Sequence, residues 1–303
     1  MKINAQTRCC AVYGHPVAHS ASPSMHNAAF RALGLNCVYL AFDVLPEKLK
    51  EAIRGAQEMK FIGLNLTVPH KIIALDIVDV LDDSAREWGA VNTIRFDGKD
   101  KDGHWKPLIE FESELPEEIR SYGFNTDAEA ITMALYEDFG FTPQGATILL
   151  LGTGGAGRVA ALKLASCGAK RLYLVNRTPQ KALVVAEEIK KKYPNVAVEL
   201  DYPHHKVDLV INATSLGLKP SDLLPIDLSR FSLTNAALAY DMIYRPAETP
   251  LLKIAKESGC KIANGISMLL WQGIRAFEIW IKKPAPKKIM QEALIKNIYY
   301  GDY

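Results

Sequence analysis

Residues 146–157 read Ala146-Thr147-Ile148-Leu149-Leu150-Leu151-Gly152-Thr153-Gly154-Gly155-Ala156-Gly157. The first half is a compact apolar run without charge, the pattern of a strand buried on both faces. The second half is a glycine-rich turn in which Gly152, Gly154 and Gly157 fall on the spacing G-x-G-x-x-G. In that spacing the first glycine makes a tight turn, the second lets a pyrophosphate approach the backbone, and the third lets helix and strand pack closely. The helix expected next, over 156–167, would offer its unpaired N–H groups to an anion. The spacing alone is also that of a tight turn that binds nothing. A strand before it and a helix after it make it a dinucleotide signature.

Downstream, the pattern predicts a strand over 171–175, a helix over 180–193, and strands over 207–211 and 237–242. This is the order of a nucleotide-binding α/β unit with a parallel sheet. The end of the second strand separates the two nicotinamide cofactors, because NAD sites place a carboxylate there for the ribose hydroxyl. Here the chain has Asn176, Arg177, Thr178 and, one helical turn on, Lys181. A carboxylate would repel a 2′-phosphate, whereas these residues offer hydrogen-bond donors and planar or point charge, which favours NADP. The plainer reading of Arg177 and Lys181 is solvated surface charge.

Upstream, strands over 10–13, 38–44 and 61–68 alternate with helices over 24–33 and 47–58. Pro69 halts the third strand, since proline has no N–H for a ladder. The rhythm predicts a second parallel, buried sheet. Residues 97–121 break it with many charges, glycines and prolines, and read as an exposed loop or hairpin. An apolar helix over 266–282 is expected to dock back on the first segment. The fold class is therefore α/β with two domains.

The 303 residues suffice for two cores. A formal net charge of +2 is too mild to indicate nucleic acid or an anionic membrane as partner. No apolar stretch is long enough to span a bilayer, and residues 1–4 begin no secretory leader. The five cysteines (Cys9, Cys10, Cys37, Cys167 and Cys260) are odd in number and form no CxxC, which suits a reducing cytoplasm. No His/Cys cluster has metal-ligand spacing, so no metal is expected.

Candidate chemistry gathers in four places. Ser20 and Ser22 lie between a strand and a helix, where two hydroxyls suit a carboxylate; Ser22 acting only as a helix cap is the plainer reading. Asn65 and Thr67 share one face at the carboxyl end of the third strand, with Lys71 just beyond. Asn92 follows Gly89-Ala90-Val91. Asp127 follows Asn125-Thr126 and stands where it could also cap a helix over 128–139. His15, His19 and His26 read as turn hydrogen-bonders.

These clusters, in this order, resemble the shikimate dehydrogenase family. The resemblance runs from Gly14 to Trp280 through GHPVAHSASPSMHN, NLTVPHK, GAVNT, NTD, GTGGAG, NRT, NATSLG, YDMIYRPAETPLL and NGISMLLWQGIRAFEIW. It implies an N-terminal αβα substrate-binding and catalytic domain, residues 1–127 with 265–303, and a Rossmann-like NADP-binding domain, residues 128–264. It implies reversible, NADP-dependent reduction of 3-dehydroshikimate to shikimate, with Lys71 and Asp127 as the catalytic pair. Ser20 and Ser22 would hold the substrate carboxylate. Asn65, Thr67, Asn92, Asp127, Tyr244 and Gln272 would meet the rest of that ligand. Gly152, Gly154, Gly155, Ala156, Gly157, Asn176, Arg177, Thr178 and Lys181 would bind NADP. Thr214, Ser215, Met242, Gly265 and Met268 would line the nicotinamide pocket.

The chain departs from the family's commonest form at His70, Leu218 and Ser267, and its stretch between Thr93 and Asn125 is longer than usual. A ketone that accepts hydride becomes an alkoxide, so Lys71 is assigned as acid in reduction and base in oxidation, with charge stabilisation alone as the other role open to it. Two alternatives stay open: a quinate/shikimate dehydrogenase of broader substrate and cofactor use, and a non-catalytic metabolite-binding paralogue. A second copy of the chain, in a homodimer, is the one macromolecular partner the sequence leaves open.

Overall fold

The computed structural model describes residues 3–111, 114–219 and 221–301. It divides into two units: Met1–Thr126 with Leu270–Tyr303, and Asp127–Leu269. Asp127 and residues 265–269 thus fall in the second unit, although the sequence grouped them with the first. The reason is local: Asp127 opens a helix of the second unit, and the chain returns to the first unit inside another helix.

In the first unit the elements are β1 (Arg8–Gly14), α1 (Ser22–Ala32), β2 (Cys37–Asp43), α2 (Leu49–Glu58), β3 (Gly63–Leu66), α3 (His70–Ile73), β4 (Val80–Leu81), α4 (Asp83–Trp88), β5 (Thr93–Lys99), β6 (Trp105–Pro107) and β7 (Ile119–Phe124). The sheet order is β2-β1-β3-β5-β7-β4, with β6 on β5. β1 pairs parallel with both β2 and β3, as the alternating pattern requires. The sheet is mixed rather than parallel, because β5 runs antiparallel to β3, β6 and β7.

The exposed loop or hairpin expected over 97–121 is in part a hairpin, β6 returning antiparallel along β5, and it is not all exposed. Phe96, Asp97 and Leu108 are buried, and Arg8 donates to the carbonyls of Leu108 and Phe111. Its charged residues hid the strands. Arg95 binds Asp97 through two hydrogen bonds (2.6 and 2.9 Å) and lies over the rings of Tyr122 and Phe124, so charge here packs along a sheet face. Glu112 and Ser113 of this stretch lie outside the described residues.

The helices after residue 264 are α9 (Ile266–Ile281) and α10 (Lys287–Tyr300). Trp280 of α9 is fully buried in the first unit and donates to the Ile94 carbonyl at 2.8 Å. Gly63 makes that approach possible, since a Cβ there would stand 2.2 Å from the indole nitrogen.

The second unit holds α5 (Asp127–Phe139), β8 (Thr147–Leu151), α6 (Gly155–Ser166), β9 (Arg171–Val175), α7 (Pro179–Lys192), β10 (Ala197–Glu199), β11 (Val207–Asn212), β12 (Ala236–Asp241), α8 (Pro250–Glu257) and β13 (Lys261–Asn264). Its strands are all parallel, in the order β10-β9-β8-β11-β12-β13. Counted from β8, this is the doubly wound order 3-2-1-4-5-6. Ile148, Leu149, Leu150 and Leu151 are buried, as an apolar strand between two layers of helix must be. The order reverses between β8 and β11, which marks their carboxyl ends as the ligand crevice.

Candidate active site

In the first unit a chain of buried polar side chains crosses the ends of β2, β3 and β5. Tyr39 donates to Asn65 Oδ1 at 2.7 Å. Asn65 Nδ2 donates to Thr93 Oγ1 and to the Asn92 carbonyl. Asn92 Oδ1 accepts from the Thr126 amide at 2.8 Å, and its Nδ2 donates to the Thr126 hydroxyl at 2.9 Å. A buried amide costs free energy unless its atoms are paired, so a connected set holds each member in one rotamer. Tyr39, Thr93 and Thr126 were missing from the sequence reading. Thr93 and Thr126 stood inside two quoted motifs, whereas Tyr39 sits in a strand whose apolar neighbours conceal a working hydroxyl.

The same network registers the backbone around the two charged candidates. The Lys71 carbonyl accepts from the Val91 amide at 2.8 Å. Thr126, the residue before Asp127, is bound by the side chain of Asn92. Lys71 and the neighbour of Asp127 are thus pinned to two consecutive residues. Lys71 is half-buried at the start of α3, and Asp127 is 4% exposed at the start of α5.

Ser22 occupies the first helical position of α1 and caps nothing, because Ala21 is the cap residue and makes no side-chain bond. The Ser22 side chain instead lies beside the Tyr39 hydroxyl, and its amide meets Ser20 Oγ at 3.4 Å. Thr67 stands close over Gly14, where a Cβ would meet its methyl at 2.4 Å. Gln272 is half-buried in α9.

Two histidines differ from expectation. His15 pairs with Asp43 at 2.6 Å rather than with its own turn. His26 is fully buried on α1, and both ring nitrogens lack a hydrogen-bond partner. It stacks on Tyr39 with centroids 4.4 Å apart and lies beside Trp280. Burial pushes its pKa down to about 3, so the ring is neutral.

In the second unit Gly152 has φ +95°, a conformation that favours glycine, and a Cβ there would stand 2.7 Å from the Thr214 methyl. A Cβ on Gly157 would lie 2.1 Å from the Gly152 carbonyl oxygen. At Gly154 and Gly155 an added Cβ would meet nothing within 4 Å. Tight packing below the turn and open space above it fit a dinucleotide phosphate lying on the backbone at the start of α6, whose cap residue Gly154 offers no side-chain bond.

Asn176 is used differently from expectation. Its Oδ1 accepts from the Thr153 amide at 3.0 Å and its Nδ2 donates to the Thr178 carbonyl at 2.8 Å, so it ties the end of β9 to the glycine turn. Arg177, Thr178 and Lys181 are exposed beyond it. A cavity of about 300 Å³, lined by Thr153, Arg158, Gln180, Lys181, Val184 and Val185, adjoins them.

Thr214 is likewise engaged: its hydroxyl donates to Asn212 Oδ1 at 2.7 Å and accepts from the Leu216 amide. Ser215 is exposed, and Met242, Tyr244 and Met268 are half-buried. Gly265 is close-packed, since a Cβ there would lie 2.0 Å from the Met242 oxygen. Of the departures from the family pattern, His70 is buried, Leu218 is exposed, and Ser267 donates to Asp138 at 2.7 Å.

A doubly wound unit with a glycine turn at its order reversal, joined in one chain to a separate α/β unit with a buried amide network, defines a dinucleotide-binding enzyme of the two-domain dehydrogenase class. Family models place it further. Residues 12–94 match the shikimate dehydrogenase substrate binding domain, 137–218 match shikimate / quinate 5-dehydrogenase, and 265–295 match the shikimate 5′-dehydrogenase C-terminal domain. The chain is 39% identical over 305 residues to shikimate dehydrogenase (NADP(+)) of Methanopyrus kandleri, covering 98% of each. A crystal structure of shikimate dehydrogenase in complex with NADP+ superposes with TM-score 0.83 at 37% identity, covering 98% of each chain. The shikimate 5-dehydrogenase of Thermus thermophilus, in complex with NADP(H) and shikimate, gives TM-score 0.77 at 36% identity over 95% of this chain and 99% of that one. The chain belongs to the shikimate dehydrogenase family.

Proposed function

We propose that this chain is an NADP-dependent shikimate dehydrogenase that interconverts 3-dehydroshikimate and shikimate. Family membership over nearly the whole chain supports the activity. The single observation that carries the site is the registration of Lys71 and Thr126 on Val91 and Asn92.

NADPH, when bound, supplies the hydride. The rest falls to the chain's own residues. Lys71 stabilises negative charge on the reduced oxygen and gives it a proton; in the oxidation it takes the proton back. Asp127 orients that ammonium and accepts from a substrate hydroxyl. Ser20 and Ser22 hold the carboxylate, while Asn65, Thr67, Asn92, Tyr244 and Gln272 meet the hydroxyls. The first unit, together with Asp127, forms the substrate and catalytic domain. The second is the NADP domain, with Gly152, Gly154, Gly155, Ala156 and Gly157 on the phosphates. Arg177, Thr178 and Lys181 take the 2′-phosphate, with Asn176 holding their loop. Thr214, Ser215, Met242, Gly265 and Met268 line the nicotinamide side. The five cysteines are all free, which suits a reducing compartment, and we place the enzyme in the cytoplasm.

The matched family also covers quinate enzymes, so the assay must be a matrix: reduction of NADP+ and of NAD+ with shikimate and with quinate. The proposal expects kcat/KM for shikimate with NADP+ to exceed every other combination by about tenfold or more, since a site built for particular polar groups rejects analogues. Comparable rates on quinate or with NAD+ would establish the broader enzyme. No reduction in any combination would overturn the assignment.

A further inference from the structure

We propose that Asp241 is the positioning residue for the nicotinamide side of the cofactor site, acting through Asn212 on the loop that carries Thr214 and Ser215. The inference rests on the NADP-dependent reading above and deepens it. Asp241 ends β12 and is 0% exposed. A buried carboxylate is costly unless donors surround it, and removing part of such a set is strongly destabilising. Four donor contacts surround this one. Asn212 Nδ2 reaches Oδ1 at 3.0 Å and Oδ2 at 3.1 Å, Thr249 Oγ1 donates to Oδ2 at 2.7 Å, and the Ile243 amide donates to Oδ1 at 3.0 Å. Burial pushes the carboxyl pKa up while these donors pull it down.

Asn212 spends the rest of its side chain on the loop after β11. Its Nδ2 also donates to the Leu216 carbonyl at 3.1 Å, and its Oδ1 accepts from the Thr214 amide at 3.0 Å and the Thr214 hydroxyl at 2.7 Å. Thr214 Oγ1 in turn accepts from the Leu216 amide. Loop 213–217 is therefore folded around one amide that is bolted to one carboxylate. On the other side, the Ile243 amide held by Asp241 belongs to a residue whose carbonyl accepts from Gly265 at 3.1 Å. Thr214, Met242 and Gly265, three of the residues placed at the nicotinamide, thus radiate from Asp241.

An amide at position 241 cannot serve. Its –NH2 would replace either Oδ1, facing Asn212 Nδ2 and the Ile243 amide, or Oδ2, facing Asn212 Nδ2 and forcing the Thr249 hydroxyl to turn from donor to acceptor, so in both orientations a donor faces a donor at Asn212. The loop would shift, and a misplacement of about 1 Å costs on the order of 10²-fold in rate.

The test compares wild type, Asp241→Asn, Asn212→Ala and the double variant. For each, kcat with shikimate and NADP+ is measured beside the Kd of 2′,5′-ADP, which probes only the adenosine half. The proposal expects each single variant to lose at least tenfold in kcat with 2′,5′-ADP affinity within about twofold of wild type, and the double variant to lose no more than the worse single one, because Asp241 acts through Asn212. Wild-type kcat in Asp241→Asn, or fully additive losses in the double variant, would overturn it. If Asp241→Asn loses 2′,5′-ADP binding as well, Asn212→Ala decides: a kcat loss with 2′,5′-ADP binding retained supports the proposal, and loss of both in every variant assigns Asp241 to folding alone and overturns it. A wild-type chain inactive with shikimate and NADP+ removes the underlying assignment instead, a result distinct from either.

Discussion

In the first unit the candidate site positions are fixed by side chains; at the glycine turn of the second they are fixed by side chains that are missing. Asn65 and Asn92 hold their places because almost every amide atom is paired, through Tyr39, Thr93 and Thr126. Gly152 and Gly157 hold theirs because a single Cβ would strike Thr214 or the Gly152 carbonyl. The difference suits the two ligands proposed. A polyhydroxylated acid is recognised by donors and acceptors at set points. A pyrophosphate is recognised by backbone N–H groups that only a bare turn lets it reach.

The contrast can be broken from the glycine side with the largest expected effect. Gly152→Ala meets both a φ of +95° and a contact at 2.7 Å. Its Kd for NADP+, read by fluorescence titration, should rise at least about tenfold, in line with the 1–3 kcal/mol typical of such strain. An unchanged Kd would show that the turn tolerates a side chain and that the bare backbone is not what binds.

A smaller effect sharpens the side-chain half. His26 backs Tyr39, the first donor of the amide network, and is held neutral by burial with its pKa near 3, against an ordinary 6.5. The unfolded chain therefore binds a proton that the folded one refuses between those values, so stability is lost as pH falls from about 6.5 toward 3. The loss from this residue approaches a factor of ten in the folding constant per pH unit. His26→Leu lacks it. Denaturant unfolding at pH 7 and pH 4.5 should show a shallower acid loss in the variant, and parallel curves for the two proteins would refute the account of His26.

Much of this was legible before any coordinates. The doubly wound half was readable because an apolar run, a glycine turn and a helix are local features. The mixed sheet was not, because Arg120 of β7 meets Asp97 of β5 and the arginines of both strands lie over aromatic rings of other strands, a non-local arrangement. Asn176 and Thr214 were legible as polar residues just past the ends of two strands. Their bonds to Thr153, Thr178, Asn212 and Leu216 were not readable, since a donor's partner is set by the fold. Asp241 lay inside a quoted motif and carried no mark of its own.

The central claim is that Lys71 handles charge and proton at the reacting oxygen. Steady-state turnover of Lys71→Ala with shikimate and NADP+ tests it most directly. The account predicts kcat lower by roughly 10²-fold or more with a much smaller change in the KM for shikimate. Turnover close to wild type would contradict it.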